Sequence, residues 1–117
     1  MCAQFLHLDV SQNNDIAVVR IKDKSIDAIS TQEVADELFS LVKEHGVNKI
    51  VLNLGNVEFL QSMALGRFVA LKELTSGANG ELRLCNLRPT VAELFEITGL
   101  TEVLDIRHDQ DAALEGL

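Results

Sequence analysis

The feature that most constrains this chain is residues 49–54, KIVLNL, a six-residue run that is β-branched at its start and followed directly by Gly55. It is too short for a complete helix. Its near-continuous apolar character leaves no solvent face, so it predicts a central strand covered on both sides. A strand of that kind needs helices around it, and both flanks supply segments of helical period. Upstream, Ser30 stands three residues before Glu33, a capping-box spacing, and Val34, Leu38, Leu41 and Val42 follow at helical intervals. Gly46 is the expected stop, with Val47 placed to touch Val42. Downstream, after the connector 55–60, a second helix is expected over about 63–75 on Leu65, Phe68, Val69 and Lys72, with Ser62 at its entrance.

The remaining punctuation completes the pattern. Residues 4–10 alternate around Phe5, Leu6, Leu8 and Val10, and a turn over 12–15 leads to a β-branched run at 16–21, which together predict a hairpin. Residues 76–80 read as a loop and 81–86 as a strand. Pro89 opens a third helix carrying Val91, Leu94 and Phe95, and Gly99 ends it with Leu100 set to contact Phe95. A last strand is expected over 102–106, and a terminal helix over 109–117 resting Ala113 and Leu114 on the body. The order β-β-α-β-α-β-α-β-α predicts an α/β fold: one domain over 1–117, with a mixed, mostly parallel sheet of about five strands and about four helices. The first hairpin strand is antiparallel, and right-handed crossovers join the parallel strands.

Composition narrows the function. With 117 residues there is room for one core. The start MCAQFLHLDV lacks the basic, apolar and small-residue parts of a secretory signal, and no apolar run is long enough to cross a bilayer. A cytoplasmic protein without membrane contact is therefore expected, and Cys2 is not expected to be lipidated. A net charge of −8, with no basic cluster, disfavours nucleic acid as a direct partner. Cys85, in the alternating stretch Leu82-Arg83-Leu84-Cys85, reads as a buried small hydrophobe.

Enzymatic chemistry should leave a cluster of titratable groups or a phosphate-cradling loop, and neither can be assembled, so no catalytic residue, metal or cofactor is expected. His45, before Gly46, suits the negative end of a helix dipole, while His7 and His108 read as surface residues. Glu33, Asp36 and Glu37 are expected in the first turns of a helix, where negative charge is favoured. Asp109 and Asp111 read as a helix start or a solvated face. Residues 77–80 contain two glycines but lead into a strand, so they form a turn and not a phosphate loop. By itself Ser62 reads as an N-cap.

The context of Ser62 adds a second reading. The segment IVLNLGNVEFLQSMALG, residues 50–66, resembles the central signature of STAS domains of the anti-sigma-factor antagonist type. There a buried strand ending in an apolar-Asp/Asn-Leu segment leads to Asp-Ser-Ser/Ala-Gly-Leu-Gly at a helix start. The downstream Leu84-Cys85-Asn86, Pro89-Thr90-Val91, Leu94-Phe95 and Thr98-Gly99-Leu100 resemble the same family, in register over most of the chain. The resemblance implies a binding module and not an enzyme. Its partner would be a serine kinase that also serves as an anti-sigma factor; phosphorylation of the signature serine, here Ser62, releases it, and a phosphatase resets it. Gln61, Ser62, Met63, Ala64 and Arg67 are the partner-binding residues this implies. Gln61 stands where the family has Asp, and Met63-Ala64 where it has Ser-Gly. The alternative is a divergent, unphosphorylated STAS scaffold in a larger signalling or lipid-transport assembly.

Overall fold

The computed structural model describes residues 5–117. In chain order the elements are β1 (Leu8–Asn13), β2 (Ile16–Ile21), β3 (Ser25–Ile26), α1 (Ala28–Lys43), β4 (Lys49–Asn53), β5 (Phe59–Leu60), α2 (Ser62–Gly77), β6 (Glu81–Cys85), α3 (Pro89–Ile97), a 3₁₀ turn (Leu100–Glu102), β7 (Asp105–Arg107) and α4 (Gln110–Leu114). Five strands form the main sheet in the order β1-β2-β4-β6-β7. Only the β1–β2 pair is antiparallel; β2–β4, β4–β6 and β6–β7 are parallel. The KIVLNL run thus supplies the middle strand, with Ile50, Val51 and Leu52 fully buried. The mixed, mostly parallel sheet with four helices is the expected architecture.

The opening hairpin sits later than its alternation suggested. Pairing continues to Asn13↔Ile16, leaving a two-residue turn in which Asn14 has φ 59. Asparagine tolerates that left-handed conformation, which lets the ladder run further than a four-residue turn would. The expected strand start at Gln4, and Cys2, lie outside the described residues.

α1 begins earlier than the Ser30–Glu33 spacing implied. Asp27 is the N-cap: its side chain accepts from the amides of Ile29 and Ser30 at 3.0 and 2.9 Å, and the Ser30 hydroxyl accepts from the Asp27 amide at 2.8 Å. This is a capping box with Ser30 as its N3 member. Glu33, Asp36 and Glu37 therefore lie past the first turn. At the other end Gly46 has φ 67, and the amide of the buried Val47 donates to Leu41. The basic residue of the last turn is Lys43, and His45 lies beyond the cap, its ring edge-on to Phe5 at 6.2 Å.

α1, α2 and α3 share one core with the sheet, in which Phe68 of α2 stacks on Phe95 of α3 at 6.3 Å. The opposite face is covered more thinly: Ile16, Val51 and Cys85 lie under Ala113, Leu114 and Leu117. Buried Arg83 ties that cover down, donating to the carbonyls of Ala113 and Glu115 and pairing with Glu81 and Asp105. Cys85 is a buried thiol, and desolvation, aided by the charge of Asp109, pushes its pKa up to about 11. The last strand starts at Asp105 and not at Glu102, because the amides of Glu102 and Val103 donate three residues back, to Gly99 and Leu100, and close a 3₁₀ turn first.

Candidate functional site

The connectors on either side of α1 and β4 hold a feature that residue patterning did not reveal. β3 and β5, two residues each, pair in parallel as Ser25↔Phe59 and Ile26↔Leu60. The carbonyl of Lys24 accepts the amides of Glu58 and Phe59 at 2.7 and 3.2 Å, and that of Ile26 accepts Gln61 at 3.1 Å. Each strand runs directly into a helix, so the N-termini of α1 and α2 lie abreast.

This pairing sets the role of Ser62. Gln61, extended at φ −78 and ψ 153, occupies the N-cap position and its side chain makes no capping bond. Ser62 is consequently the first helical residue of α2 and not its N-cap, a correction that follows from the strand bond on Gln61. The serine is exposed. Its hydroxyl is not placed to accept the amides two and three residues ahead as a cap would.

A groove of ≈ 570 Å³ runs beside Ser62, between the segment from Glu58 to Met63 and α3 residues Thr90, Val91 and Leu94. Its floor is buried Leu60 and Val91, while Phe59 and Met63 are 56% and 55% exposed. The Thr90 hydroxyl donates to the Glu58 carbonyl at 3.4 Å, linking the two walls. The groove lies beyond the carboxyl ends of parallel strands β4 and β6, where open α/β sheets generally place their binding surfaces. An exposed aromatic and an adaptable methionine beside a polar, modifiable hydroxyl suit a protein contact better than bond-making chemistry.

The implied binding residues divide. Gln61, Ser62 and Met63 line the groove together. Ala64 does not: at 2% exposure it faces the core, so its small side chain serves the packing of α2. Arg67 sits on the α1–α2 seam, where Nη2 donates to Gln32 Oε1 at 3.0 Å and Nε is buried without a partner. Sequence reasoning missed Phe59, Thr90 and Leu94 as groove residues. An isolated Phe-Leu pair in a connector was the available signal for the first, and nothing local marks the α3 residues.

His7 also departs from its expected place on the surface. Its side chain is 13% exposed and bonded to Asp23 and Glu33. Burial opposes its protonation, but the Asp23 hydrogen bond and charge, with Glu33 and Glu37, outweigh this and raise its pKa above 6.5. Asp109 caps α4 through the Ala112 amide at 2.9 Å. Among the described residues, no group of three or more His, Cys, Asp or Glu side chains is arranged to hold a metal, and no helix is long and apolar enough to cross a membrane.

Comparison with known proteins gives this geometry a family. The STAS domain model matches residues 7–113, and the chain belongs to the STAS domain family. It is similar to the anti-sigma-B factor antagonist of Bacillus subtilis (strain 168), 29% identical over 94% of this chain and 98% of the relative. The anti-sigma F factor antagonist of Paenibacillus polymyxa is 24% identical over 96% and 95%. The fold matches the crystal structure of an anti-sigma factor antagonist from Mycobacterium paratuberculosis at a TM-score of 0.81, with 22% identity and 92% and 89% of the two chains covered. It matches SpoIIAA, an anti-sigma factor antagonist solved in its unphosphorylated form, at 0.74, with 18% identity and 90% and 91% covered.

Proposed function

We propose that this chain is a cytoplasmic regulatory module that acts as an anti-sigma-factor antagonist. It docks through the groove beside Ser62 onto an anti-sigma factor that is also a serine kinase. The kinase phosphorylates Ser62 to end the contact, and a phosphatase restores it. The observation that carries this reading is an exposed serine at the first position of α2, bordered by the exposed apolar side chains of Phe59 and Met63. The antagonist names of full-length relatives support the choice of partner class.

The switch needs only electrostatics. A phosphate adds about −1.5 to −2 charge at a surface that an apolar partner face must desolvate, and the chain already carries −8. The test is intact-mass analysis after incubation with ATP and kinase-type anti-sigma factors from the same genome, paired with binding measurements on Ser62→Ala and Ser62→Asp. One added phosphate on the wild type, none on Ser62→Ala, and at least about tenfold weaker binding of Ser62→Asp are expected. A phosphate retained by Ser62→Ala would refute the site, and no binding to any such kinase would refute the function.

A further inference from the structure

His7 is held between carboxylates from two elements. Its Nδ1 is 2.8 and 3.0 Å from the two oxygens of Asp23, in the connector between β2 and β3, and its Nε2 is 3.0 Å from Oε1 of Glu33 on α1. A neutral imidazole has one N–H and can donate from one nitrogen only; donation to carboxylates on both sides requires the imidazolium. α1 brings a third carboxylate, Glu37, whose oxygens accept the amides of Leu6 and His7 at 3.0 Å each. The hairpin's cations turn elsewhere: Arg20 pairs with Asp9 at 2.5 Å, and Lys22 stands 4.0 Å from the same carboxylate. Lys24, on the connector, is exposed. The ring thus sits in a negative setting that favours its charged form.

The same connector carries one wall of the groove. On one side the Lys22 amide donates to the His7 carbonyl at 2.8 Å. On the other the Lys22 carbonyl accepts the Asn56 side chain, and the Lys24 carbonyl accepts the amides of Glu58 and Phe59. Asp23 lies between those two sets of bonds. We propose that protonated His7 is a pH-sensitive clasp that fixes the connector 22–24, and through it the Glu58–Phe59 wall, so that deprotonation loosens the wall and weakens docking. The docking half rests on the groove reading above; the clasp itself does not. Because the folded-state pKa is raised, the clasp is fully formed below the unfolded value of 6.5 and is lost as pH rises through the folded one.

The experiment is NMR on the full chain, following the His7 ring and the amide-exchange protection factors of Glu58 and Phe59 from pH 6 to 8, with Leu84 on β6 as reference. His7 should titrate above 6.5. Protection at Glu58 and Phe59, relative to Leu84, should fall across that titration by up to about tenfold for each unit of His7 shift. His7→Gln should flatten the dependence, and Asp23→Asn, which keeps the histidine, should lower its titration point. Titration at or below 6.5, or an unchanged pH profile in His7→Gln, overturns the clasp. A wall that loosens as described while affinity for the anti-sigma factor stays level with pH overturns the docking reading and leaves the clasp standing.

Discussion

Truncating Phe59 to alanine tests the groove most directly, because this side chain has much to lose on the surface and little in the core. It is 56% exposed, and its strand partner Ser25 is likewise exposed, so removal leaves no internal cavity. An aromatic side chain buries roughly 200 Å² when fully covered, so about 110 Å² remains for a partner to cover. At ~25 cal/mol per Å² that is about 2.5–3 kcal/mol, or roughly a hundredfold in Kd if the residue sits at the centre of the contact. The assay is isothermal titration calorimetry of wild type and Phe59→Ala against the anti-sigma factor proposed as the partner, with thermal melting as the control for folding. Ile97→Ala is the matched control: Ile97 is more exposed, at 74%, but does not line the groove. A Phe59→Ala protein that melts like the wild type and binds within about threefold of it would refute the groove as the docking surface. An equal loss in Ile97→Ala would show that general surface hydrophobicity, and not the groove, governs binding.

Two further outcomes follow from the frame around the site. Asp27→Ala removes the one oxygen, Oδ1, that accepts both capping amides of α1 and should lower the melting temperature; the Ser30 bonds hold the Asp27 carboxyl below its usual 3.8, so the cap's contribution is present above that pH and lost as pH falls through the depressed value. Denaturant titrations of both proteins at pH 7 and pH 3 check this, and the gap between them should shrink at the lower pH. Gly80→Ala places a Cβ onto the backbone carbonyl of Asn48, which is the acceptor for the Glu81 amide at 2.9 Å where β6 begins. Backbone cannot yield as a flexible side chain would, so a loss of about 2–4 kcal/mol and a drop of roughly 10–15 °C are expected in calorimetry.

The parts of the fold that were legible in the sequence are those whose signal is periodic and local. KIVLNL predicted the middle strand because a strand buried on both faces has no polar alternation to hide it. Pro89, Gly46 and Gly99 mark helix ends through φ constraints that act within one residue, and Gly46 and Gly99 have φ 67 and 76. What escaped was set by pairing at a distance. β3 and β5 have two residues each, below the length at which alternation can register, and they exist because each satisfies the other's backbone. That pair moved the α2 cap from Ser62 to Gln61. The same limit applies to His7, whose carboxylate partners lie 16 and 26 residues away. The groove was half legible, since its Ser62 wall resembles a known signature and its α3 wall is brought there by the crossover.

The two abreast helix starts show how a phosphate could act on the partner without disturbing the fold. α1 is closed by a carboxylate built into the chain, Asp27, which accepts two first-turn amides. α2 has Gln61 in the equivalent place with no side-chain bond, next to an exposed serine. A phosphate on Ser62 would bring to α2 what Asp27 already provides for α1, negative charge at the positive end of a helix and acceptors for free amides. The helix therefore has no reason to melt. The charge would be felt by whatever covers Phe59 and Met63, since an apolar partner face cannot solvate it. With Gln61 in place of an acidic residue, a phosphate on Ser62 would have one fewer repulsive neighbour, so under the proposed switch Gln61 would favour the modified state even as it withdraws a carboxylate from the surface a kinase would read.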